Sequence, residues 1–422
     1  MQCRIDKLVY GGLGMGRLAS GKVCFVPNSL PGEIVTVSVR KETAKLVHAT
    51  PIGWVNRSHL RQIPPCPHYL QCGGCHYQHT TYAEELRAKQ EQVSSCFKPW
   101  ESRLAEIVPS SSEYRYRNHI SLHKISDSTS GFMPSSAVAS GVKKKKPLPV
   151  AVRDCLLVKE DLEPVFHEPW NNDDIHTKRV KTAGGSSQHK PTAVRRTWRL
   201  SSNGRYFGDH QPEQALYPLA IGNALLWSSA SCFMQANIDI TLKVARTLQH
   251  YCSLSHATVW MDLFCGVGTF SVLLAAEKGL PPRVKRVVCV ENNIHCLKPL
   301  SRNIEGIQNN SPSLTVECHS ENAERWYDPP VDGKSEPTFL FVDPPRAGLS
   351  PSLLAAISRD KSIETLAYLS CHMGTLQRDL RHLTLQNDSS THPSLQLVYL
   401  QAFDMFPRTK HVEVLAILSR GS

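Results

Sequence analysis

The sequence predicts an α/β fold: a doubly wound, Rossmann-like sheet in the C-terminal half, behind a small OB-like β-barrel and an α+β middle segment. Three observations carry that expectation. From about residue 228 onward, apolar strand-like runs alternate with helical stretches, as in a sheet with helices on both faces. The first 55 residues read instead as short strands separated by turns. Between them lies a loop rich in cysteine, followed by one clear helix. The expected organisation is a barrel over 1–55, a central region over 56–227 and the doubly wound domain over 228–422.

In chain order, Gln2–Leu8 alternates in hydrophobicity and runs into the turn Tyr10-Gly11-Gly12-Leu13-Gly14. Val23–Val26, Ile34–Val39 and Leu46–Ile52 follow, with Pro31-Gly32 between two of them. Small barrels built this way often bind nucleic acid. Tyr82–Phe97, rich in Glu, Ala, Lys and Gln, is predicted helical. Two excursions interrupt the middle of the chain. One contains Lys143-Lys144-Lys145-Lys146, and the other runs from about His167 to Pro191 around Gly184-Gly185-Ser186-Ser187. Lys178 to Arg199 holds seven basic residues and no acidic one. That stretch reads either as a solvated surface loop or as a contact strip for RNA phosphates. Further on, Val259–Leu263, Arg286–Val290, Thr338–Val342, Thr365–Ser370, Leu395–Leu400 and Val412–Leu418 are predicted strands, and Thr269–Glu277 a helix.

Composition narrows the function. The 422 residues carry 48 Lys and Arg against 37 Asp and Glu, a formal charge of +11 that favours a polyanionic partner. No apolar run reaches the roughly 18 residues of a membrane span, and the start of the chain lacks a basic-then-apolar leader pattern. A cytoplasmic protein with no membrane contact and no evident protein partner is expected. The 14 cysteines then point to metal or catalysis rather than to disulfides.

Asp262-Leu263-Phe264-Cys265-Gly266-Val267-Gly268-Thr269 joins a strand to a helix. Glycines such as Gly266 let a ligand approach the backbone closely, and Glu291, at the end of the next strand, is placed to hydrogen-bond ribose hydroxyls. Two of the three phosphate-fingerprint glycines are present, which fits an adenosine cofactor without pyrophosphate, S-adenosylmethionine, better than NAD.

Three more residues belong at the same sheet edge, where ligands of such folds bind. Asp343, in Phe341-Val342-Asp343-Pro344-Pro345-Arg346, ends one strand, and Cys371, in Tyr368-Leu369-Ser370-Cys371, ends the next. Glu413 opens the last strand and joins them if that strand runs antiparallel. Each has an ordinary reading as a packed thiol, a turn cap or a surface acid, and joint placement around one pocket changes that reading. A thiolate added to carbon-6 of uracil places electron density on carbon-5, which alone is too weak a nucleophile for a methyl sulfonium. Carbon-5 then accepts the methyl group, and a base, Glu413, removes the carbon-5 proton so that the thiol leaves.

Cys66, Cys72 and Cys75 lie within ten residues with Gly73-Gly74 between the last two, and Cys155 is the candidate fourth ligand. Four thiolates suit structural zinc or an iron–sulfur cluster equally by spacing.

Taken together, the chain resembles the RNA uracil-5-methyltransferase family, and most closely its iron–sulfur members that modify large-subunit ribosomal RNA. The motifs that carry the likeness are Phe233-Met234-Gln235-Ala236-Asn237, Asp262–Thr269, Asp343–Leu349, Ser370-Cys371 with Thr375-Leu376 and Arg378-Asp379-Leu380, and His411-Val412-Glu413. The resemblance implies a TRAM domain over the barrel and a [4Fe-4S] cluster, rather than zinc, on Cys66, Cys72, Cys75 and Cys155. It implies S-adenosylmethionine binding by Gln235, Phe264, Thr269, Glu291, Asn322 and Asp343, with Cys371 as nucleophile and Glu413 as base. A specific uridine of 23S ribosomal RNA is the expected substrate. A transfer RNA methyltransferase and a non-catalytic RNA-binding homologue are the alternatives. One departure stands out: the family's Ser-Cys-Asn-Pro is Ser370-Cys371-His372-Met373 here.

Overall fold

The computed structural model describes residues 1–134, 148–170, 177–181, 187–191, 195–209, 216–276, 279–329, 336–385 and 395–420, with backbone alone for 177–181 and 187–191. The lysine run 143–146 lies outside the described residues.

Five strands close the N-terminal barrel: β1 (Gln2–Val9), β2 (Leu13–Arg17), β3 (Val23–Pro27), β4 (Ile34–Glu42) and β5 (Leu46–Asn56), in the order β1-β2-β3-β5-β4. Alternation along β3 and along β1, broken at Asp6-Lys7 where the pairing register shifts, sends Cys3, Ile5, Cys24 and Val26 into one small core with Val35 and Val47. Gly16 on β2 is obligatory, because a Cβ there would stand 1.8 Å from the Arg4 carbonyl oxygen.

Helix α1 (Tyr82–Cys96) begins at Thr81, whose hydroxyl accepts the Glu84 N–H at 3.3 Å, a side-chain N-cap. Its residues Val93 and Phe97 do not serve the middle of the chain. They lie in the core of the C-terminal sheet, beside Leu376, Leu380 and Leu400. The central sheet comprises β6 (His119–Ser126), β7 (Thr129–Phe132) and β8 (Val150–Ala151), and a hairpin β9 (Thr177–Lys181) with β10 (Ser187–Pro191) stands apart from it. Strand β11 (Arg195–Leu200) and β12 (Tyr206–Gly208) complete the order β12-β11-β6-β7-β8.

The second excursion is therefore partly regular structure, and its basic strip is divided. Arg196 and Arg199 are buried: Arg196 donates to the Pro169 carbonyl at 2.8 Å and lies over the Trp170 ring, while Arg199 donates to the Ala230 carbonyl at 2.8 Å. A contact strip running through to Arg199 is thus corrected. These two guanidiniums satisfy interior carbonyls, a use that charge counting cannot distinguish from phosphate binding.

The hairpin β13 (Tyr217–Ile221) and β14 (Ala224–Ser228) packs Leu219, Ile221 and Leu226 into the C-terminal core. Helix α2 (Ile238–Leu254), capped by Asn237, leads into the main sheet. There follow β15 (Val259–Leu263), α3 (Thr269–Ala276), β16 (Arg286–Val290), α4 (Ile294–Asn310) and β17 (Thr315–His319). The short α5 (Ala323–Trp326), β18 (Thr338–Val342), α6 (Pro351–Arg359), β19 (Ile363–Ser370), α7 (Met373–Leu385), β20 (Leu395–Phe403) and β21 (Glu413–Arg420) complete it. The seven strands are ordered β17-β16-β15-β18-β19-β21-β20. β15 to β19 are mutually parallel, and β21 runs antiparallel between β19 and β20. All five residues of β18 are buried, as expected of a strand covered on both faces. Among the described residues no helix is long and apolar enough to cross a membrane.

A buried ionic knot fastens α1 to the loop before β21. Lys89 Nζ donates to Glu85 at 2.7 Å and to Asp404 at 2.6 Å, with all three side chains at most 1% exposed. Arg408 closes the far side, donating its N–H to Glu85 at 2.8 Å and a guanidinium N–H to the Thr80 carbonyl at 2.8 Å. Lys89→Met leaves buried Asp404 without its cation and Glu85 with Arg408 alone, and is expected to lower unfolding free energy by about 3–5 kcal/mol, read by urea denaturation.

Candidate active site

The sheet reverses its order between β15 and β18, and ligands of open α/β sheets bind at the carboxyl ends of strands beside such a reversal. A cleft of about 840 Å³ lies there. It is lined by all nine residues picked from the sequence for cofactor binding or catalysis: Gln235, Phe264, Gly266, Thr269, Glu291, Asn322, Asp343, Cys371 and Glu413. Asp343 and Cys371 follow the carboxyl ends of β18 and β19. Glu413 reaches the same edge because β21 is antiparallel to β19, with Val414 paired to Ser370.

The turn after β15 is held in a demanding conformation. Phe264 has φ 63°, and Gly266 and Gly268 have φ 59° and 78°. The left-handed region costs a non-glycine residue about 1–2 kcal/mol, so the ring of Phe264 is held in the cleft by its surroundings. Glu291 fixes the turn: its carboxylate accepts the N–H groups of Gly266 at 2.9 Å, Asn292 at 2.9 Å and Asn293 at 2.7 Å. Beneath it, Ser271 donates to Asp262 at 2.7 Å and accepts from Trp260 Nε1 at 3.0 Å. Asn322 caps α5, accepting the Glu324 N–H at 2.9 Å. Gln235 donates to Asp343 at 3.2 Å, while its own Oε1 is buried without a protein partner, as is Asp262 Oδ1. Two orphaned acceptors, an acid at the strand end and an apolar floor match a cofactor carrying hydroxyls, an amine and a cationic centre.

Charge in the cleft is crowded. Burial pushes the Cys371 thiol up to about 11; the Glu413 and Asp343 carboxylates push the same way, and Arg346 opposes them. Burial raises Glu413 well above the ordinary carboxyl range, and Asp343 adds to it. Asp343 itself rises to about 7 through burial, against the Gln235 hydrogen bond. Three acidic groups in one poorly hydrated cleft resist simultaneous ionisation. Such a site favours a cationic ligand.

His372 accounts for the missing Asn-Pro. Its Nδ1 accepts the Thr375 N–H at 3.2 Å. The imidazole therefore caps α7 in the way an asparagine side chain would, and Met373 begins the helix in place of proline.

The four cysteines Cys66, Cys72, Cys75 and Cys155 line a second cavity, of about 210 Å³. Gly73 lets their loop approach closely, since a Cβ there would meet the Pro134 carbonyl oxygen at 3.0 Å. Among the described residues no three His, Cys, Asp or Glu side chains are grouped to hold one metal ion.

Sequence reasoning passed over Arg117, which lines both cavities. It lies over the Phe406 ring, and its charge acts on Cys72, Cys75 and Cys155. The alternation Tyr114-Arg115-Tyr116-Arg117 was the available signal.

Residues 222–421 match the tRNA (Uracil-5-)-methyltransferase family, and residues 3–52 match the TRAM domain. A Thermotoga maritima protein described as an uncharacterized RNA methyltransferase is 25% identical, covering 100% of this chain and 99% of its own. The 23S rRNA (uracil(1939)-C(5))-methyltransferase RlmD of Haemophilus parainfluenzae is 24% identical over 97% of this chain and 94% of its own. Among solved structures, the Pyrococcus abyssi tRNA (uracil-54, C5)-methyltransferase in complex with S-adenosyl-L-homocysteine superposes over 99% of this chain and 100% of its own, with a TM-score of 0.66 and 22% identity. Barrel and middle segment therefore do not by themselves separate ribosomal from transfer RNA enzymes.

The cap reading of His372 gives a direct expectation. His372→Asn keeps thermal stability, whereas His372→Ala lowers unfolding free energy by about 1 kcal/mol, measured by denaturant titration.

Proposed function

We propose that the chain is an RNA uracil-5-methyltransferase, as its match to that family over residues 222–421 and its relatives suggest, and that it methylates carbon-5 of one uridine in 23S ribosomal RNA through a transient Cys371–uracil bond. The observation that carries the reading is the convergence of Cys371, Glu413 and Asp343 on one cleft. The ribosomal substrate is supported by the relatives named for it. Ribosomal RNA also fits the net positive charge.

S-adenosylmethionine, held by Gln235, Phe264, Gly266, Thr269, Glu291, Asn322 and Asp343, supplies the methyl group from a sulfonium whose positive charge offsets the acidity of the cleft. The remaining work falls to the protein. The target uridine has to leave its stack to reach Cys371. The Cys371 thiol gives its proton to solvent water and its sulfur bonds to carbon-6, which breaks the carbon-5–carbon-6 double bond and turns the ring into an enolate. Arg346 faces this developing charge. After methylation, Glu413 takes the carbon-5 proton, the carbon–sulfur bond breaks, and the double bond re-forms as the thiolate leaves. A carboxylate whose proton affinity is raised by burial is a competent base near neutral pH.

The four-cysteine cavity fits a [4Fe-4S] cluster on Cys66, Cys72, Cys75 and Cys155. What supports the reading is the family resemblance together with the four cysteines lining one cavity of about 210 Å³. Arg117 supplies the positive charge that four thiolates require. With every iron ligated by protein, the cluster's part is structural or RNA-positioning.

RNA transcribed with 5-fluorouridine tests the chemistry, since fluorine does not leave as a proton does. Wild type is expected to form a denaturation-resistant adduct and Cys371→Ala none. An adduct that persists in Cys371→Ala refutes the nucleophile. Glu413→Gln is expected to accumulate an adduct with ordinary uridine and to release methylated product at least 100-fold more slowly. Because the thiol is neutral below its raised pKa, adduct formation rises with pH, by about tenfold per unit at most. For the cluster, anaerobically purified wild type is expected to hold four irons per chain. An unchanged iron content in Cys72→Ser excludes the ligand set. Mass mapping of methylated uridines in ribosomal and transfer RNA distinguishes the two substrates.

A further inference from the structure

The tip of the barrel reaches the catalytic edge. Val9 to Gly12 form a tight turn, closed by the Gly12 N–H to the Val9 carbonyl at 3.1 Å, with Gly11 at φ 101° and Gly12 at φ 77°. The turn is pressed onto the cysteine loop: a Cβ on Gly12 would stand 3.0 Å from His76 Cβ. His76 in turn donates its N–H to the Arg408 carbonyl at 2.7 Å, tying that loop to the segment before Glu413. The turn therefore has little freedom, and the side chain it carries is aimed.

That side chain is Tyr10. It takes no part in the barrel core, and its side chain is 40% exposed. Its ring and the His372 imidazole stand perpendicular, with centroids 6.3 Å apart and planes at 89°. His372 follows Cys371 directly in the chain. Arg346 is exposed, its charge acts on the Tyr10 phenol, and both Arg346 and Cys371 line the catalytic cleft. An exposed aromatic ring with one perpendicular aromatic neighbour keeps surface for a base, and an arginine near it adds positive charge. That pair is how single-stranded nucleic acid is gripped without base reading.

We propose that Tyr10 is a stacking ledge at the mouth of the cleft, holding by its ring face a base that flanks the extruded uridine. This makes the barrel part of the substrate site. Tyr10 is a positioning residue: it acts on the RNA strand and leaves the reacting atoms to Cys371 and Glu413. The proposal rests on the reading of the protein as an RNA uracil methyltransferase.

The test uses the full chain and a 23S ribosomal RNA transcript carrying 5-fluorouridine. Tyr10→Ala is expected to raise the RNA concentration for half-maximal adduct formation by roughly tenfold, the loss of about one base–aromatic stack. Its rate at saturating RNA and its thermal midpoint stay within about twofold and a degree or two of wild type. Tyr10→Phe is expected to match wild type, because the face and not the hydroxyl binds. Three results overturn the proposal: unchanged RNA dependence in Tyr10→Ala, an equal loss in Tyr10→Phe, or a fall in saturating rate with RNA dependence unchanged. Equilibrium binding of the same variants to a transcript without fluorine separates the two ideas. If wild type forms no adduct while Tyr10→Ala still binds tenfold more weakly, the covalent chemistry fails and the ledge stands.

Discussion

Everything at the candidate site depends on one reversal of direction. Five strands of the main sheet run parallel, and a parallel strand presents its start at the edge far from the cofactor cleft. Because β21 is inserted antiparallel between β19 and β20, its first residue falls where its neighbours end. Glu413 is thereby set in one cleft with Cys371 and Asp343, where burial and their mutual charges raise all three. The electrostatic tension is a property of the topology, and it makes the cleft receptive to positive charge.

The approach to β21 has to be rigid for this arrangement to hold. Asp404 and Arg408, in the loop before it, are gripped by Lys89 and Glu85 of α1. Arg408 also carries the backbone of the cysteine loop, whose His76 and Tyr77 N–H groups donate to its carbonyl. A helix that follows the cysteines in sequence thus positions the strand that bears the proposed base. Arg117, touching both cavities, continues the same seam. The middle segment is less a separate domain than a bracket between the barrel and the catalytic edge.

Much of this was legible in the residues. The alternation of β1 and the apolar runs of β15, β16 and β18 marked the two sheets, since burial on one face or on both leaves different periods. The cleft was legible because its residues sit at strand ends, where short motifs survive as contiguous text. The rest depended on contacts between distant parts of the chain. Nothing local reveals that Val93 and Phe97 pack against strands near residue 400, or that Arg196 and Arg199 turn inward to interior carbonyls. His372 looked like a defect beside the nucleophile; only the Thr375 N–H at its Nδ1 shows that it restores the cap it seemed to delete. Tyr10 read as punctuation in a glycine turn, and its neighbours lie more than 300 residues away in the chain.

The placement of α1 has a consequence for how the protein is made. A ribosome releases this helix early, with Val93 on its surface, whereas α7, which packs against it, emerges only near the end of synthesis. The barrel has its own small core and is complete long before. Throughout most of translation the nascent chain therefore carries this helix, with Glu85 and Lys89 still open to water, beside a barrel whose own core is complete.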